Sequence, residues 1–265
     1  MQQIDRGEAQ RLMAVAHRLA DAARTAILPH FRSPHLNVDS KDADFDPVTE
    51  ADRAGERAMR DILAKERPDD GILGEEYGAV AGTSGLTWIL DPIDGTRGFV
   101  SGTPTWGVLV ALSSSSSPIL GVVDQPYIGE RFSGGPEGAF VTGPLGHTAI
   151  KCRAPRSLAD ATVLTTFPEV GTTAEGAAFH RVAGAARLTR YGMDCYGYAL
   201  LAAGQVDLVI EAGLAPYDIA APIAVIEAAG GIVTTWDGGP AHGGGQVIAA
   251  ANPAIHAEAM GLIHG

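Results

Sequence analysis

The sequence predicts a mixed α/β protein, with helices on an antiparallel-rich sheet in the first half and alternating helix and strand in the second. Three observations carry that prediction. Apolar residues recur at helical spacing near the N-terminus. Short apolar runs bounded by Gly, Pro or Ser crowd residues 88–142. From residue 163 onward, strand-like and helix-like segments take turns.

In chain order, Leu12, Val15, Ala16, Leu19, Ala23 and Ile27 mark one face of a helix over 6–28, which Pro29 ends. A second helix is expected from Thr49 to about residue 65, with Ala51, Ala58, Met59, Ile62 and Leu63 inward and Thr49 and Asp52 in a capping arrangement. Pro68-Asp69-Asp70-Gly71 reads as a turn. Strands are expected over 88–90, 106–112, 119–124 and 139–142, the serine run 113–117 being a hairpin connection. Then come a strand over 163–166, helices over 175–186 and 195–203, a strand over 206–210, a helix over 219–229 and a strand over 232–235. Neither a linker nor an internal repeat divides the chain. It reads as a single unit of 1–265, built from an N-terminal portion (1–145) and a C-terminal α/β portion (146–265).

Composition narrows the function classes. With 46% hydrophobic and 19% charged residues, 265 residues suffice for a substantial core. A formal net charge of -12 disfavours nucleic acid as a partner. An anionic substrate then needs bound cations or a local cluster of amides and basic side chains. Cys152 and Cys195 have no zinc-site or redox spacing and read as reduced thiols. The N-terminal segment is polar, and no run approaches the roughly 20 apolar residues that span a bilayer. The expectation is a soluble, cytoplasmic protein.

The chemistry concentrates in the segment Trp88-Ile89-Leu90-Asp91-Pro92-Ile93-Asp94-Gly95-Thr96. An apolar strand runs into two aspartates three apart, with Pro92 forcing a turn between them. Hard divalent cations take oxygen ligands, and carboxylates on a short rigid turn can converge on one or two ions. Pro92 lacks an N–H, which leaves the Ile93 carbonyl available as a further ligand. The amides of Gly95 and Thr96 can cradle a phosphate. Alone, Asp-Pro-Ile-Asp also fits an ordinary Asx-type turn. Upstream, Glu75 follows the apolar pair Ile72-Leu73 and Gly74. Downstream, Asp218 stands where a helix begins, as an N-cap, a ligand or both. The acidic stretch 46–52 is a helix start or a third contribution to the same cluster.

Together these segments resemble the inositol monophosphatase superfamily of metal-dependent phosphatases. Glu75 matches the first acid of its G-E-E segment, and residues 91–96 match D-P-[IL]-D-G-T in full. Residues 217–221 are similar to W-D-x-A-A with Tyr217 in place of Trp, and 46–52 to D-x-V-T-x-x-D. The resemblance spans nearly the whole chain. It implies a layered α-β-α-β-α sandwich, commonly a homodimer, that hydrolyses a small phosphate monoester with two or three Mg²⁺ ions, for which Mn²⁺ is a possible substitute. It implies that Glu75, Asp91 and the Ile93 carbonyl hold one ion and that Asp91, Asp94 and Asp218 hold a second. It places Thr96 and Asp46 on the attacking water, counts Glu75 with them in the catalytic set, and gives the phosphate to the Gly95 and Thr96 amides.

A second layer of motifs resembles the histidinol-phosphatase branch of that superfamily: residues 97–102 with 105–107, 123–126 with 129–131, and 191–198. Arg97 stands where the branch more often has Lys, and Met193 where it often has Gly. Asp194 occupies a position that inositol-type members fill with a small neutral residue. A carboxylate there would favour the ammonium and imidazole of histidinol phosphate; the alternative is a helix N-cap. Glu211 is expected to bind that ammonium, or a hydroxyl in an inositol enzyme. Arg190 is expected to meet phosphate or a neighbouring subunit, or to make only a surface ion pair. With Asp94, Gly95, Thr96 and Asp218, these three residues make up the expected substrate pocket. Trp106 is assigned to core packing ahead of stacking on an imidazole, and Tyr127 is a further stacking candidate. Histidinol phosphate ranks first as substrate, which would place the enzyme in histidine biosynthesis. Inositol 1-phosphate or another sugar or nucleotide phosphate ranks second. Neither nucleic acid nor membrane is an expected partner.

Overall fold

A computed structural model of the chain describes residues 5–34, 36, 38–40, 47–114, 117–154 and 156–265. Helix α1 (Arg6–Ile27) buries the predicted face, Leu12, Val15, Ala16, Leu19, Ala23 and Ile27, and Asp5 caps it by accepting the Glu8 N–H at 2.8 Å. Strands β1 (Val38–Ser40) and β2 (Pro47–Thr49) pair antiparallel. They lead into α2 (Glu50–Glu66), whose capping box is the expected one. Thr49 N–H donates to Asp52 Oδ2 at 2.8 Å, while Thr49 Oγ1 accepts from Ala51 N–H at 3.1 Å.

The larger sheet contains β3 (Gly71–Gly74), β4 (Gly78–Val80), β5 (Leu86–Asp94), β6 (Gly107–Ser114), β7 (Ser117–Gln125), β8 (Glu130–Gly135), β9 (Gly138–Gly143) and β10 (Gly146–Ala149). Its order is β10-β9-β8-β7-β6-β5-β3-β4, antiparallel except where β3 runs parallel to β5. The short helix α3 (Thr96–Val100) interrupts it after β5. The second half supplies β11 (Thr162–Thr165), α4 (Thr173–Ala185), β12 (Leu188–Tyr191), α5 (Asp194–Ala202), β13 (Leu208–Leu214), α6 (Pro216–Ala228), β14 (Ile232–Thr235), β15 (Gly245–Ala250) and α7 (Pro253–His264). Its strands form a mixed sheet ordered β12-β11-β13-β15-β14.

Side-chain alternation distributes these elements into layers. Along β6, Val108, Val110 and Leu112 join Leu12, Leu19, Met59 and Trp88 in the core under α1 and α2. The intervening Leu109 and Ala111 face the opposite way, into a core with Ile219, Val225 and Val209 between the two sheets. A third core, with Phe179, Val182, Ile210, Ile248 and Ile255, joins α4 and α7 to the outer face of the smaller sheet. The result is the α-β-α-β-α sandwich that the sequence motifs imply. Helix α6 lies unusually close to the larger sheet. A Cβ on Gly134 would stand 2.4 Å from Val225 Cα, and one on Gly121 would stand 2.5 Å from Ala221 O. Glycines on β7 and β8 thus let α6 pack closely against the larger sheet.

Trp106 is fully buried against Phe31 and Phe99, with ring centroids 5.3 and 5.0 Å away, in keeping with its assignment to the core. Tyr127 lies edge-on to Phe31 and is outside the residues lining the cavity described below. Among the described residues no helix is long and apolar enough to cross a membrane.

Candidate active site

The turn expected at Pro92 is instead part of a strand. β5 continues through residue 94 with a shift in register against β6, Asp91 standing opposite Leu109 and Asp94 opposite Gly107. In a regular strand, residues three apart point to opposite faces. The extra residue of this bulge lets Asp91 and Asp94 share one face. Asp91 Oδ1 also accepts the Ile93 N–H at 3.0 Å, the local hydrogen bond that the Asx-type reading expects.

Asp218 arrives from α6, which begins at Pro216 rather than after Asp218. Asp218 is therefore not the N-cap; it sits three residues inside, where its Oδ2 accepts the Ala215 N–H at 2.7 Å. Carboxylate oxygens of Asp91, Asp94 and Asp218 lie within 4.8 Å of one another. Glu75 comes from the turn between β3 and β4, fixed to β5 by its N–H to Leu90 O at 3.2 Å. Burial, then the charges of Glu75, Asp94 and Asp218, push the Asp91 carboxyl well above the usual range. Burial, then Asp194 and Asp218, do the same to Asp94. Such a concentration of buried like charge is costly without a counter-charge and matches the oxygen-donor set that hard divalent cations take.

Thr96 begins α3, and its hydroxyl lies 3.0 Å from the Ile93 carbonyl and 3.4 Å from Asp52 Oδ1. Asp52 is buried, and its pKa is raised to about 6, mainly by desolvation against the pull of the Thr49 hydrogen bonds. Asp46, assigned with Thr96 from the sequence, lies outside the described residues. The carboxylate that the structure brings to Thr96 is Asp52, which the sequence places in a capping arrangement and in the acidic 46–52 segment without a role on the attacking water. The signal was present as the last acid of the 46–52 segment.

These groups line one side of a cavity of about 350 Å³, with Glu75, Asp91, Ile93, Asp94, Gly95, Thr96 and Asp218 at one end. Asp194, Tyr198 and Glu211 line it from the second half of the chain. Asp194 is the first residue of α5 and not its N-cap, which is Met193. Its backbone has φ 47°, a left-handed conformation that Asp tolerates better than most residues. Its Oδ2 accepts from Thr105 Oγ1 at 3.0 Å. Gly95, at φ 85°, makes room for it, since a Cβ there would stand 2.6 Å from Asp194 Cγ. The adjoining amide, Cys195 N–H, donates to Asp94 Oδ2 at 2.6 Å. Glu211 accepts from Thr165 Oγ1 at 3.1 Å and Thr166 N–H at 2.7 Å, yet burial pushes it up to about 7. Arg97 lines the cavity with its guanidinium 4.9 Å from the Phe167 ring centroid. Arg190 is exposed on β12, at the outer edge of the smaller sheet, and is not among the lining residues.

The raised carboxyls dictate how the metal-free protein responds to pH. Glu211 and Asp52 both have folded-state pKa values above their unfolded values. Through these two groups the folded protein binds more protons between about pH 4 and pH 7 and loses stability as pH rises through that window, a trend that His17 and His256, lowered by burial, partly oppose. Each contributes a loss on the order of 3 kcal/mol. Thermal unfolding in a chelator is expected to give a clearly higher Tm at pH 5 than at pH 7.5. An equal or lower Tm at pH 5 would contradict the electrostatics described here.

Comparison with known proteins agrees with this geometry. The inositol monophosphatase family model matches residues 8–264. The chain is 42% identical over 236 residues to the chloroplastic bifunctional phosphatase IMPL2 of Arabidopsis thaliana, covering 87% of this chain and 66% of that protein, so it spans just under two thirds of the plant relative's length. It is 35% identical to a histidinol-phosphatase of Streptomyces coelicolor, with 95% and 96% of the two chains covered. A solved inositol monophosphatase from Zymomonas mobilis superposes with a TM-score of 0.86 at 39% identity, covering 97% of this chain and 98% of the other. The chain belongs to the inositol monophosphatase family and is a phosphatase of that family.

Proposed function

We propose that this phosphatase hydrolyses L-histidinol phosphate to L-histidinol and phosphate with the help of Mg²⁺. The observation that carries the substrate is the pair of acidic side chains, Asp194 and Glu211, lining the cavity beside the carboxylate cluster. An inositol phosphate offers neutral hydroxyls, whereas histidinol phosphate offers an ammonium and an imidazole, for which a half-buried and a buried carboxylate are the better partners. The histidinol-phosphatase from Streptomyces coelicolor supports the same reading. The rival, an inositol-type substrate, is favoured by the Zymomonas mobilis neighbour. A cytoplasmic homodimer serving histidine biosynthesis completes the proposal and rests on family resemblance.

Glu75, Asp91, Asp94, Asp218 and the Ile93 carbonyl would hold the metal ions. The chemistry that a bound divalent ion supplies is Lewis-acid stabilisation of phosphoryl oxygens and a lowered pKa for coordinated water. The chain's own part is positioning and proton management. The Thr96 hydroxyl has the Ile93 carbonyl at 3.0 Å and Asp52 Oδ1 at 3.4 Å as acceptors for its one proton; donated to Asp52, it would leave the oxygen free to accept a hydrogen bond from the attacking water. Ionised Asp52 favours that orientation, and at neutral pH a group with pKa about 6 is mostly ionised. The amides of Gly95 and Thr96, at the start of α3, are the proposed phosphate contacts. Asp194 and Glu211 would hold the far end of the substrate and set the phosphorus in line with the water.

The test is phosphate release from histidinol phosphate, inositol 1-phosphate, fructose 1,6-bisphosphate and 3'-phosphoadenosine 5'-phosphate, with and without Mg²⁺. Metal-dependent turnover with kcat/KM highest on histidinol phosphate is the expected result. A preference for inositol 1-phosphate would reassign the substrate, and turnover without added or bound divalent ions would overturn the metal assignment.

A further inference from the structure

We propose that Glu56, one turn along α2 from Asp52, is a positioning residue that sets how tightly the Glu75 side of the site holds Mg²⁺; this inference rests on the metal-dependent reading above. Glu56 is completely buried. Its Oε2 accepts the Glu76 N–H at 2.7 Å, and its Oε1 accepts the Tyr77 N–H at 3.2 Å and Arg60 Nε at 2.7 Å. Arg60 extends the grip, donating from Nη2 to the Gly78 carbonyl at 2.5 Å. The Glu56–Arg60 pair thus holds successive backbone groups of residues 76–78 against α2.

The residue immediately before that grip is Glu75. Its own N–H is tied to Leu90 O on β5, one residue ahead of Asp91. Glu75 is consequently pinned on one side to the strand that carries Asp91 and on the other to the helix that carries Asp52. Gly74 is part of the same fit, because a Cβ there would stand 2.0 Å from Glu56 Oε1. A buried ion pair that served stability alone would need neither two amide donors beside the residue proposed to hold metal nor a glycine opposite it. Ligand carboxylates on short turns bind tightly only when their orientation is fixed by the groups behind them.

The chemistry of the grip is specific to a carboxylate. Two amide donors and one guanidinium converge on two oxygens that only accept. Glu56→Gln keeps the size of the side chain but turns one acceptor into a donor facing donors. The turn then loosens while the core around α2 keeps its shape. Gly74→Ala attacks the same contact from the opposite side and leaves the helix untouched.

Mg²⁺ binding to the full-length wild type, Glu56→Gln and Gly74→Ala is to be measured by calorimetry and by the Mg²⁺ dependence of Tm, alongside Mg²⁺ titration of phosphate release. Both variants are expected to bind Mg²⁺ about tenfold or more weakly. Half-saturating Mg²⁺ for turnover should move by the same factor, and kcat at saturating Mg²⁺ should stay within about threefold of wild type. A lower Tm with unchanged Mg²⁺ affinity would reduce Glu56 to a structural residue and overturn the proposal. So would a fall in kcat at saturating Mg²⁺ with affinity intact. Absence of Mg²⁺ binding by the wild type would instead overturn the metal-dependent reading, a result read on the unmodified protein.

Discussion

Asp94→Asn is expected to lower kcat/KM for phosphate release roughly a thousandfold while raising the Tm of the metal-free protein. The two effects have one origin. Asp94 is a half-buried carboxyl raised by desolvation and by the neighbouring charges of Asp194 and Asp218, so in the absence of cations its ionised form works against the fold. The amide removes that charge and keeps an oxygen that can accept the Cys195 N–H, which Asp94 Oδ2 now takes at 2.6 Å. The same exchange takes one anionic oxygen donor from a cluster whose carboxylates lie within 4.8 Å of one another, and a hard cation depends on that charge. The checks are phosphate release at saturating substrate over a Mg²⁺ series, and thermal unfolding in chelator and in Mg²⁺. Wild-type turnover would remove Asp94 from the ligand set. Loss of turnover together with a lower metal-free Tm would show that the substitution disrupts the fold, contrary to the electrostatics argued here.

Much of this site was legible because its chemistry is carried by short segments. Asp91, Ile93, Asp94, Gly95 and Thr96 are near neighbours in the chain, so sequence proximity already placed them together. The mechanism of their convergence was not legible: Pro92 suggests a turn, whereas pairing with β6 carries the strand through it as a bulge. Asp52 was legible as a capping residue and as the last acid of the 46–52 segment, but its contact with Thr96 was not, because the local capping role explains its identity without any tertiary partner. Glu56 lies inside the helix expected from Thr49 and carried no assignment, since nothing local says that a hairpin twenty residues later will close over it.

Elements were missed where pattern is weak. β15 is buried along both faces over residues 247–250 and so shows no alternation. α7 is rich in alanine and has little contrast between faces, although Asn252 followed by Pro253 was a readable start signal. β12, which carries Arg190, is a short exposed edge strand with no apolar periodicity to announce it.

Asp194→Asn is expected to cut kcat/KM for histidinol phosphate by about 30- to 100-fold and to leave inositol 1-phosphate within about threefold. Asparagine is the informative replacement. It tolerates the left-handed backbone that Asp194 adopts, where alanine would add strain, and its carbonyl can still accept from Thr105 Oγ1. What it removes is the charge. If Asp194 recognises the substrate ammonium, an analogue of histidinol phosphate lacking the amine should be turned over poorly by the wild type. The variant should treat that analogue and the parent almost alike, because the carboxylate and the ammonium act as one pair. Equal losses on both histidinol phosphate and inositol 1-phosphate would instead mean that Asp194 acts through its neighbours, Gly95 and Asp94, on the machinery common to all substrates. No loss on either would leave Glu211 as the acidic group to test in the same way. The amine-lacking analogue separates these outcomes because it changes the substrate without changing a residue that also packs against Gly95.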